Sequence, residues 1–292
     1  MKNIIVLPNF DRPEFLHVCL ELIQKADKSE EMMYLFCFDH DYDRELMKVY
    51  ESFPYKKHLI KMNKHNYNKL TKQSRNVLNG LIAAAALTGE GGHVFLIEDD
   101  IFVGTDFLTF HLDLHNMEKT IFCSILSANN NSKFNCNNNE DAYYLSDKAD
   151  YQSLGVCFKS ANIIEYVEPH NNEWYYKDPF DYCKKNFPHS SIGHEFAEQD
   201  GLIRRIKEQS RTLTAFAHVP RCYHAGFYGK NRGKYKRGNL TEKIKRVKAV
   251  CFNDKEMRKA AQHEQYYNDS KPVNLDTTHS KLKLQLCQHK PR

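Results

Sequence analysis

The sequence is short of several features that would assign it to large functional classes. No stretch approaches the roughly 20 apolar residues needed to cross a bilayer, so no transmembrane helix is expected. No basic segment, apolar core and small-residue cleavage site precede Ile4-Ile5-Val6-Leu7, which argues against secretion and for a cytoplasmic location. The nine cysteines form no CxxC pair, so neither a disulfide framework nor a zinc ribbon is expected, and buried thiols in a reducing compartment account for them. Glycine is sparse, at 12 of 292 residues. Its one cluster, Gly89-Glu90-Gly91-Gly92, matches neither GxGxxG at a helix start nor GxxxxGK[ST], which removes nicotinamide and P-loop binding. Charge of either sign is in modest excess only: 42 basic against 37 acidic residues give +5. The distribution of charge therefore matters more than its total.

What is present is a soluble α/β composition, 41% apolar and 27% charged, long enough for one large domain. Strand-like runs alternate with helical patterns over the first hundred residues. A strand over 2–7 leads into a loop with Pro8, Asn9, Asp11, Arg12 and Pro13. A helix follows over 14–25, with Phe15, Val18, Cys19 and Leu22 at helical spacing. Strands are expected over 32–38 and 59–62, with a helix over 44–53 between them. A long helix over 70–87 buries Val77, Leu78, Leu81, Ile82 and several alanines. This alternation predicts a Rossmann-like sheet flanked by helices.

Further on, a helix over 107–117 and a strand over 121–127 precede an asparagine-rich insert at 129–139, expected to be a surface loop. A strand over 153–158 and a helical segment over 161–166 follow. An aromatic stretch, 169–188, holds the single tryptophan, Trp174. A helix opens at Glu198-Gln199-Asp200, and a strand with a glycine-rich turn covers 219–229. The organisation expected is a first half over 1–104, a second half of the same domain over 105–229, and a basic, partly helical extension over 230–292. Within the extension, 282–286 is apolar enough to dock on the core.

The most informative stretch is His93-Val94-Phe95-Leu96-Ile97-Glu98-Asp99-Asp100-Ile101. Unbroken apolar character marks a strand buried on both faces, and open α/β sheets bind ligands at the carboxyl ends of such strands. Because side chains alternate along a strand, Glu98 and Asp100 share a face while Asp99 points away. Carboxylates converging there repel unless a cation intervenes, which points to a divalent metal; an acidic turn that merely ends the strand is the other reading.

In order and type, these features resemble the GT-A glycosyltransferases over residues 3–230. The resemblance implies a nucleoside diphosphate-sugar donor, a UDP-sugar first, and Mn²⁺ or Mg²⁺ as cofactor. It implies that the loop of Pro8, Asn9, Asp11 and Arg12 approaches the nucleotide base, that Asp39 contacts base or ribose, and that Arg75 and Asn76 reach the nucleotide. Glu98-Asp99-Asp100 resembles the family's DxD motif, which implies ribose contact by Glu98 or Asp99 and metal coordination by Asp100. His224 is the implied second ligand, with Gly226 and Tyr228 in its turn against the diphosphate. Gly155 lies in a segment similar to the floor of the donor-sugar pocket. Glu198-Gln199-Asp200 resembles the family's acidic motif on the acceptor side. There Asp200, with Glu198 second, implies a base that takes the acceptor proton in an inverting reaction; capping of the helix start is the alternative for both acids. Trp174 could stack on a sugar or a base, or simply pack.

The segment 230–248 carries nine basic residues against one acid, Glu242. Lys230, Arg232, Lys234, Lys236 and Arg237 follow the expected active-site turn directly, where they would favour a polyanionic acceptor. Some phage enzymes of similar type glycosylate modified bases in DNA. That resemblance implies duplex DNA with hydroxymethylated or already glycosylated bases as acceptor, and the host cytoplasm as location. A glycan, lipid-linked saccharide or protein acceptor stays open at this point. So do a sugar-nucleotide-forming nucleotidyltransferase and a non-catalytic nucleic-acid-binding protein.

Overall fold

The computed structural model describes residues 2–67, 69–127, 142–148, 151–225, 248, 251, 253–258 and 284–286. Its centre is a nine-stranded mixed sheet with helices on both faces. In chain order the elements are β1 (Ile4–Asn9), α1 (Pro13–Ile23), β2 (Met33–Phe38), α2 (Glu45–Ser52), β3 (Lys57–Lys61), α3 (Lys69–Thr88) and β4 (His93–Leu96). There follow β5 (Ile101–Val103), α4 (Phe107–Met117), β6 (Ile121–Ile125), β7 (Ala142–Ser146), β8 (Val156–Lys159) and a short helical turn α5 (Ser160–Asn162). The remainder is α6 (Glu173–Lys177), α7 (Pro179–Asn186), α8 (Gln199–Ser210), β9 (Leu213–Ala217), β10 (Cys222–His224) and β11 (Leu284–Leu286).

The sheet order is β11-β7-β9-β6-β8-β4-β1-β2-β3. Strands β3, β2, β1 and β4 are parallel, whereas β8 runs against both β4 and β6. Strand β1 shows why a central strand needs apolar residues throughout. Ile5 and Leu7 pack with α1 on one face, while Ile4 and Val6 pack with α3 on the other. Because β2 lies on one side of β1 and β4 on the other, the connections diverge there. A crevice opens at the carboxyl ends of such a pair. The loops after β1 and β4, carrying Arg12 and Glu98-Asp99-Asp100, flank it.

Helix α3 lies close on the sheet because Gly80 leaves room. A Cβ there would come within 2.8 Å of Val6 Cγ1 and Cys37 Sγ. Val77, Leu78, Leu81, Ala84 and Ala85 are buried as the helical spacing predicts, and Leu87 is exposed. The cysteines Cys19, Cys37, Cys123, Cys157, Cys183, Cys222 and Cys251 are buried, as small apolar residues would be.

Several elements were not anticipated, among them α6 and α7 in the aromatic stretch, the short strand β5, and the strands β7 and β9. β7 and β9 pair antiparallel and extend the sheet beyond β6; their short sequences, Ala142-Tyr143-Tyr144-Leu145-Ser146 and Leu213-Thr214-Ala215-Phe216-Ala217, carry only a few residues of alternation. The expected docking of 282–286 is seen as β11 pairing with β7. The asparagine-rich insert at 129–139 and most of the basic extension lie outside the described residues. No helix among the described residues is long and apolar enough to cross a membrane.

Candidate active site

β4 stops at Leu96, earlier than the apolar run suggests. Glu98-Asp99-Asp100 therefore forms a turn between β4 and the three-residue β5. Strand alternation does not apply to these acids. Asp99 does not point away from Asp100: Arg12 grips both. Its Nε donates to Asp99 Oδ2 at 3.1 Å, its NH2 pairs with Asp99 Oδ1, and its NH1 donates to Asp100 Oδ2 at 2.7 Å. The guanidinium also lies 5.3 Å from the Phe15 ring centroid, within cation–π range.

His224 arrives through a separate two-stranded ribbon. β10 runs antiparallel to β5 and sets His224 opposite Ile101, and Ala225 N donates to Asp100 O at 2.7 Å. The ribbon is anchored by buried Arg221, whose Nε donates to Asp106 at 2.9 Å. His224 Nε2 thereby stands 3.6 Å from Asp100 Oδ2. Asp100 Oδ1 is buried and has no hydrogen-bond partner. A carboxylate with one buried oxygen left open and the other beside an imidazole suits a hard divalent cation with few protein ligands and substrate oxygens completing the shell. Asp100 and His224 thus fit the metal expected from the sequence.

Asp200 reaches the same place from the opposite wall. Helix α8 is pinned to α3 where Gln199 N donates to Ser74 Oγ at 3.0 Å. The loop before it is held by buried Arg205, which donates to the carbonyls of Phe196, Ile192, Gly193 and Gly201. Arg204 Nε donates to Tyr151 O at 3.0 Å, fixing the 151–155 segment against the helix. Ser153 Oγ then donates to Asp200 Oδ2 at 3.5 Å, and Glu98 lies near enough for the Asp200 charge to raise its pKa. Asp200 Oδ1 is shielded and unpartnered. Glu198 occupies the N-cap position of α8 without a side-chain capping bond, and Asp200 lies in the first turn with its Oδ2 against Ser153.

The electrostatics follow from this crowding. Burial, reinforced by Asp100 and Asp200, pushes Glu98 up to about 8. Burial likewise pushes Asp99 up to about 7, with the Arg12 guanidinium opposing it. Burial would raise Asp100 too, but Arg12 and His224 hold it well below the usual carboxylate range. Burial lifts Asp200 to about 6, with Ser153 pulling the other way and Glu198 adding to the rise. Near neutral pH the site therefore holds an ionised Asp100, a protonated Glu98 and an ionised Asp200 that accepts a proton more readily than an ordinary aspartate.

The other sequence-identified residues divide. Gly155 has φ +68° and packs on Phe107 and Cys222; it gives the segment its turn beside Ser153. Asp39 ends β2 at the crevice, where its Oδ1 accepts from the backbone N of His40 at 2.6 Å and His40 Nδ1 at 2.8 Å. His65 Nε2 and Lys72 Nζ each stand 3.8 Å from its carboxylate. Asn76 faces the backbone, donating to Cys37 O at 3.0 Å and Asn9 O at 3.4 Å. It thereby joins the ends of β1 and β2, a clamping role the sequence did not suggest. Asn9 Nδ2 donates to Leu7 O at 2.6 Å in its own strand. Arg75 donates to Asn63 O and lies over Tyr67. Pro8 closes β1, and Asp11 is exposed in the loop beside Arg12. Trp174 packs on Tyr182, with Asp181 and Lys185 beside it, and stays 41% exposed. Gly226, Tyr228, Lys230, Arg232, Lys234, Lys236 and Arg237 lie outside the described residues.

Two contributors were missed. Lys72 precedes Arg75 and Asn76 by three and four positions, the spacing that puts residues on one helix face, and that signal was available. Ser153 opens the strand expected over 153–158, but its contact with Asp200 depends on long-range packing. Among the described residues, Asp39, His40 and His65 bring three ligand-type atoms within 4.8 Å of one another. Lys72 already sets a positive charge there, and hydrogen bonds from His40 occupy Asp39 Oδ1, so the trio is accounted for without a cation.

No family model matches the chain, and no curated protein matches it in sequence. Solved structures do align. TarS of S. aureus (residues 1–349) aligns at 10% identity over 92% of this chain and 73% of that one, with a TM-score of 0.48. A mannosyltransferase from Pyrobaculum calidifontis, solved with GDP-Man and Mn²⁺, aligns at 10% identity over 91% and 69%, TM-score 0.46. A cytidylyltransferase from Leptospira borgpetersenii aligns at 10% identity over 64% and 72%, TM-score 0.37. Likenesses this distant carry no functional argument, and the reading of this site rests on the chain's own residues.

Proposed function

We propose that this protein is a metal-assisted, inverting glycosyltransferase that moves a sugar from a nucleoside diphosphate-sugar, a UDP-sugar first, to an acceptor hydroxyl. One observation carries the reading: an acidic turn at the carboxyl end of a central parallel strand meets His224 on one side. On the other it meets the buried acid Asp200 of a separate helix, close enough for the Glu98 and Asp200 carboxyls to repel. Asp100 and His224 would hold a divalent cation, which supplies Lewis-acid stabilisation of the charge on the departing diphosphate. Asp39, with His40, His65 and Lys72 around it, stands where a nucleoside enters the crevice. The Asp200 carboxylate takes the acceptor hydroxyl proton as that oxygen bonds to the sugar's anomeric carbon and the bond to the diphosphate breaks. Gly155 and Ser153 line the approach between donor and base.

For the acceptor, the nine basic residues against one acid in 230–248 favour a polyanion, and duplex DNA with hydroxymethylated pyrimidines is the first to test. A base in a duplex must leave the stack to meet Asp200. Mass spectrometry of such DNA after incubation with Mn²⁺ and candidate donors is expected to show added hexose or pentose; unmodified DNA from every donor removes this acceptor. The donor site is tested separately by calorimetry. Asp100→Ala is expected to abolish the Mn²⁺-dependent part of nucleotide binding, and unchanged affinity would remove Asp100 as a ligand.

A further inference from the structure

Arg12 reaches the acidic turn from 87 residues away in sequence and engages both carboxylates that follow Glu98. Its side chain is 18% exposed, whereas those of Asp99 and Asp100 are 4% and 8% exposed. The arginine thus lies at the mouth and the acids behind it. Asp100 Oδ2, the oxygen nearest His224 Nε2, is the one its NH1 holds. A guanidinium and a divalent cation cannot both occupy that oxygen at close range, because like charges repel and the lone pairs are shared.

We propose that Arg12 is a latch that competes with the cation for Asp100, so the metal is held tightly only once a nucleoside diphosphate is present to receive the guanidinium. The proposal rests on the glycosyltransferase reading. A planar guanidinium fork matches a phosphate as well as a carboxylate. An incoming diphosphate lets Arg12 exchange one anion for another without stranding a buried charge. Asp100 Oδ2, 3.6 Å from His224 Nε2, is then released to the cation. Metal and nucleotide binding become reciprocally coupled, and the resting site does not collect stray cations. Pro13 at the first position of α1 and the Phe15 ring under the guanidinium fix the base of the arginine, leaving its head to swing between the two anions. Arg12 acts through the carboxylates it holds and is a positioning residue in this scheme.

The test measures free Mn²⁺ by electron paramagnetic resonance at pH 8 for wild type, Arg12→Met and Arg12→Lys. Each is assayed alone and with UDP, GDP, CDP or ADP. The wild type is expected to bind Mn²⁺ about tenfold or more tightly with the preferred nucleotide than without. Arg12→Met is expected to bind Mn²⁺ about tenfold more tightly than wild type in the absence of nucleotide, and to lose most of the nucleotide's enhancement. Arg12→Lys, with one ammonium unable to span both carboxylates, is expected in between; it carries the test if Arg12→Met does not fold. Equal wild-type affinity with and without nucleotide, or variants that bind Mn²⁺ no better than wild type when alone, overturns the latch while leaving the glycosyltransferase reading intact. No Mn²⁺ binding by any protein with any nucleotide overturns that reading and the latch with it.

Discussion

Replacing Asp200 by asparagine should stabilise the protein at alkaline pH while removing its transfer activity. Asp200 is lifted from its ordinary 3.8 to about 6 by burial, so the folded protein holds a proton that the unfolded chain releases across that interval. Stability therefore declines as pH rises from about 4 to about 6, and the full penalty is present above that window. At about 1.4 kcal/mol per pKa unit the burden on the wild type is about 3 kcal/mol. Asparagine removes the charge but brings an amide into a place where Oδ1 already lacks a partner, which costs about 1–3 kcal/mol. The net expectation at pH 8 is a gain of up to about 2 kcal/mol, or up to several degrees in Tm for a domain of this size. At pH 4, where the wild type carries little of that burden, the amide cost dominates and the variant is the less stable by up to about 3 kcal/mol. Urea denaturation at the two pH values measures the difference, and sugar transfer at pH 8 measures the activity. An offset that is the same at both pH values, or a variant that still transfers at near wild-type rate, would refute the reasoning.

Other expectations concern the supports of the site and the core behind it. Gly155→Ala places a Cβ 2.7 Å from Cys222 Sγ at a residue with φ +68°. It should cost about 1–3 kcal/mol and weaken donor binding by disturbing Ser153, read by thermal melting and nucleotide titration; a silent substitution would show that the segment adapts. His115 is buried and held neutral, lowered to about 3 by desolvation with His93 adding to the fall. Its folded form resists protonation, so stability is present above about pH 6.5 and is lost as pH falls toward 3. By pH 5 the loss is about 2 kcal/mol. His115→Gln should flatten the decline between pH 7 and 5 by about one proton, and an unchanged slope would assign the acid sensitivity elsewhere.

The first four parallel strands and the helices α1 to α3 were legible because their apolar residues recur at the spacing each element buries. The acids after Leu96 were legible as a site for the same reason: charge cannot sit inside a doubly covered strand, so it marks the strand's end. Their mutual orientation was not, because β4 ends before them and a turn replaces strand alternation. Arg12 was visible as a loop residue, but its grip on Asp99 and Asp100 follows from the order β4-β1-β2, which no local pattern encodes. Asn76 reads locally as a polar helix residue; it is the meeting of α3 with the ends of β1 and β2 that turns its amide to the backbone. Asp200 was found by its type and place near a helix start. Its raised pKa comes from burial in the folded site, with Ser153 opposing the rise and Glu198 adding to it.

The central claim is that this site breaks the bond between a sugar and a nucleoside diphosphate. Phosphorus NMR of the protein incubated with Mn²⁺ and a panel of nucleoside diphosphate-sugars tests it most directly. The account predicts that one donor is converted to free nucleoside diphosphate, faster with a suitable acceptor, and that Asp200→Asn suppresses the conversion. Pyrophosphate formed from a nucleoside triphosphate and a sugar phosphate, with every nucleotide-sugar left intact, would contradict it.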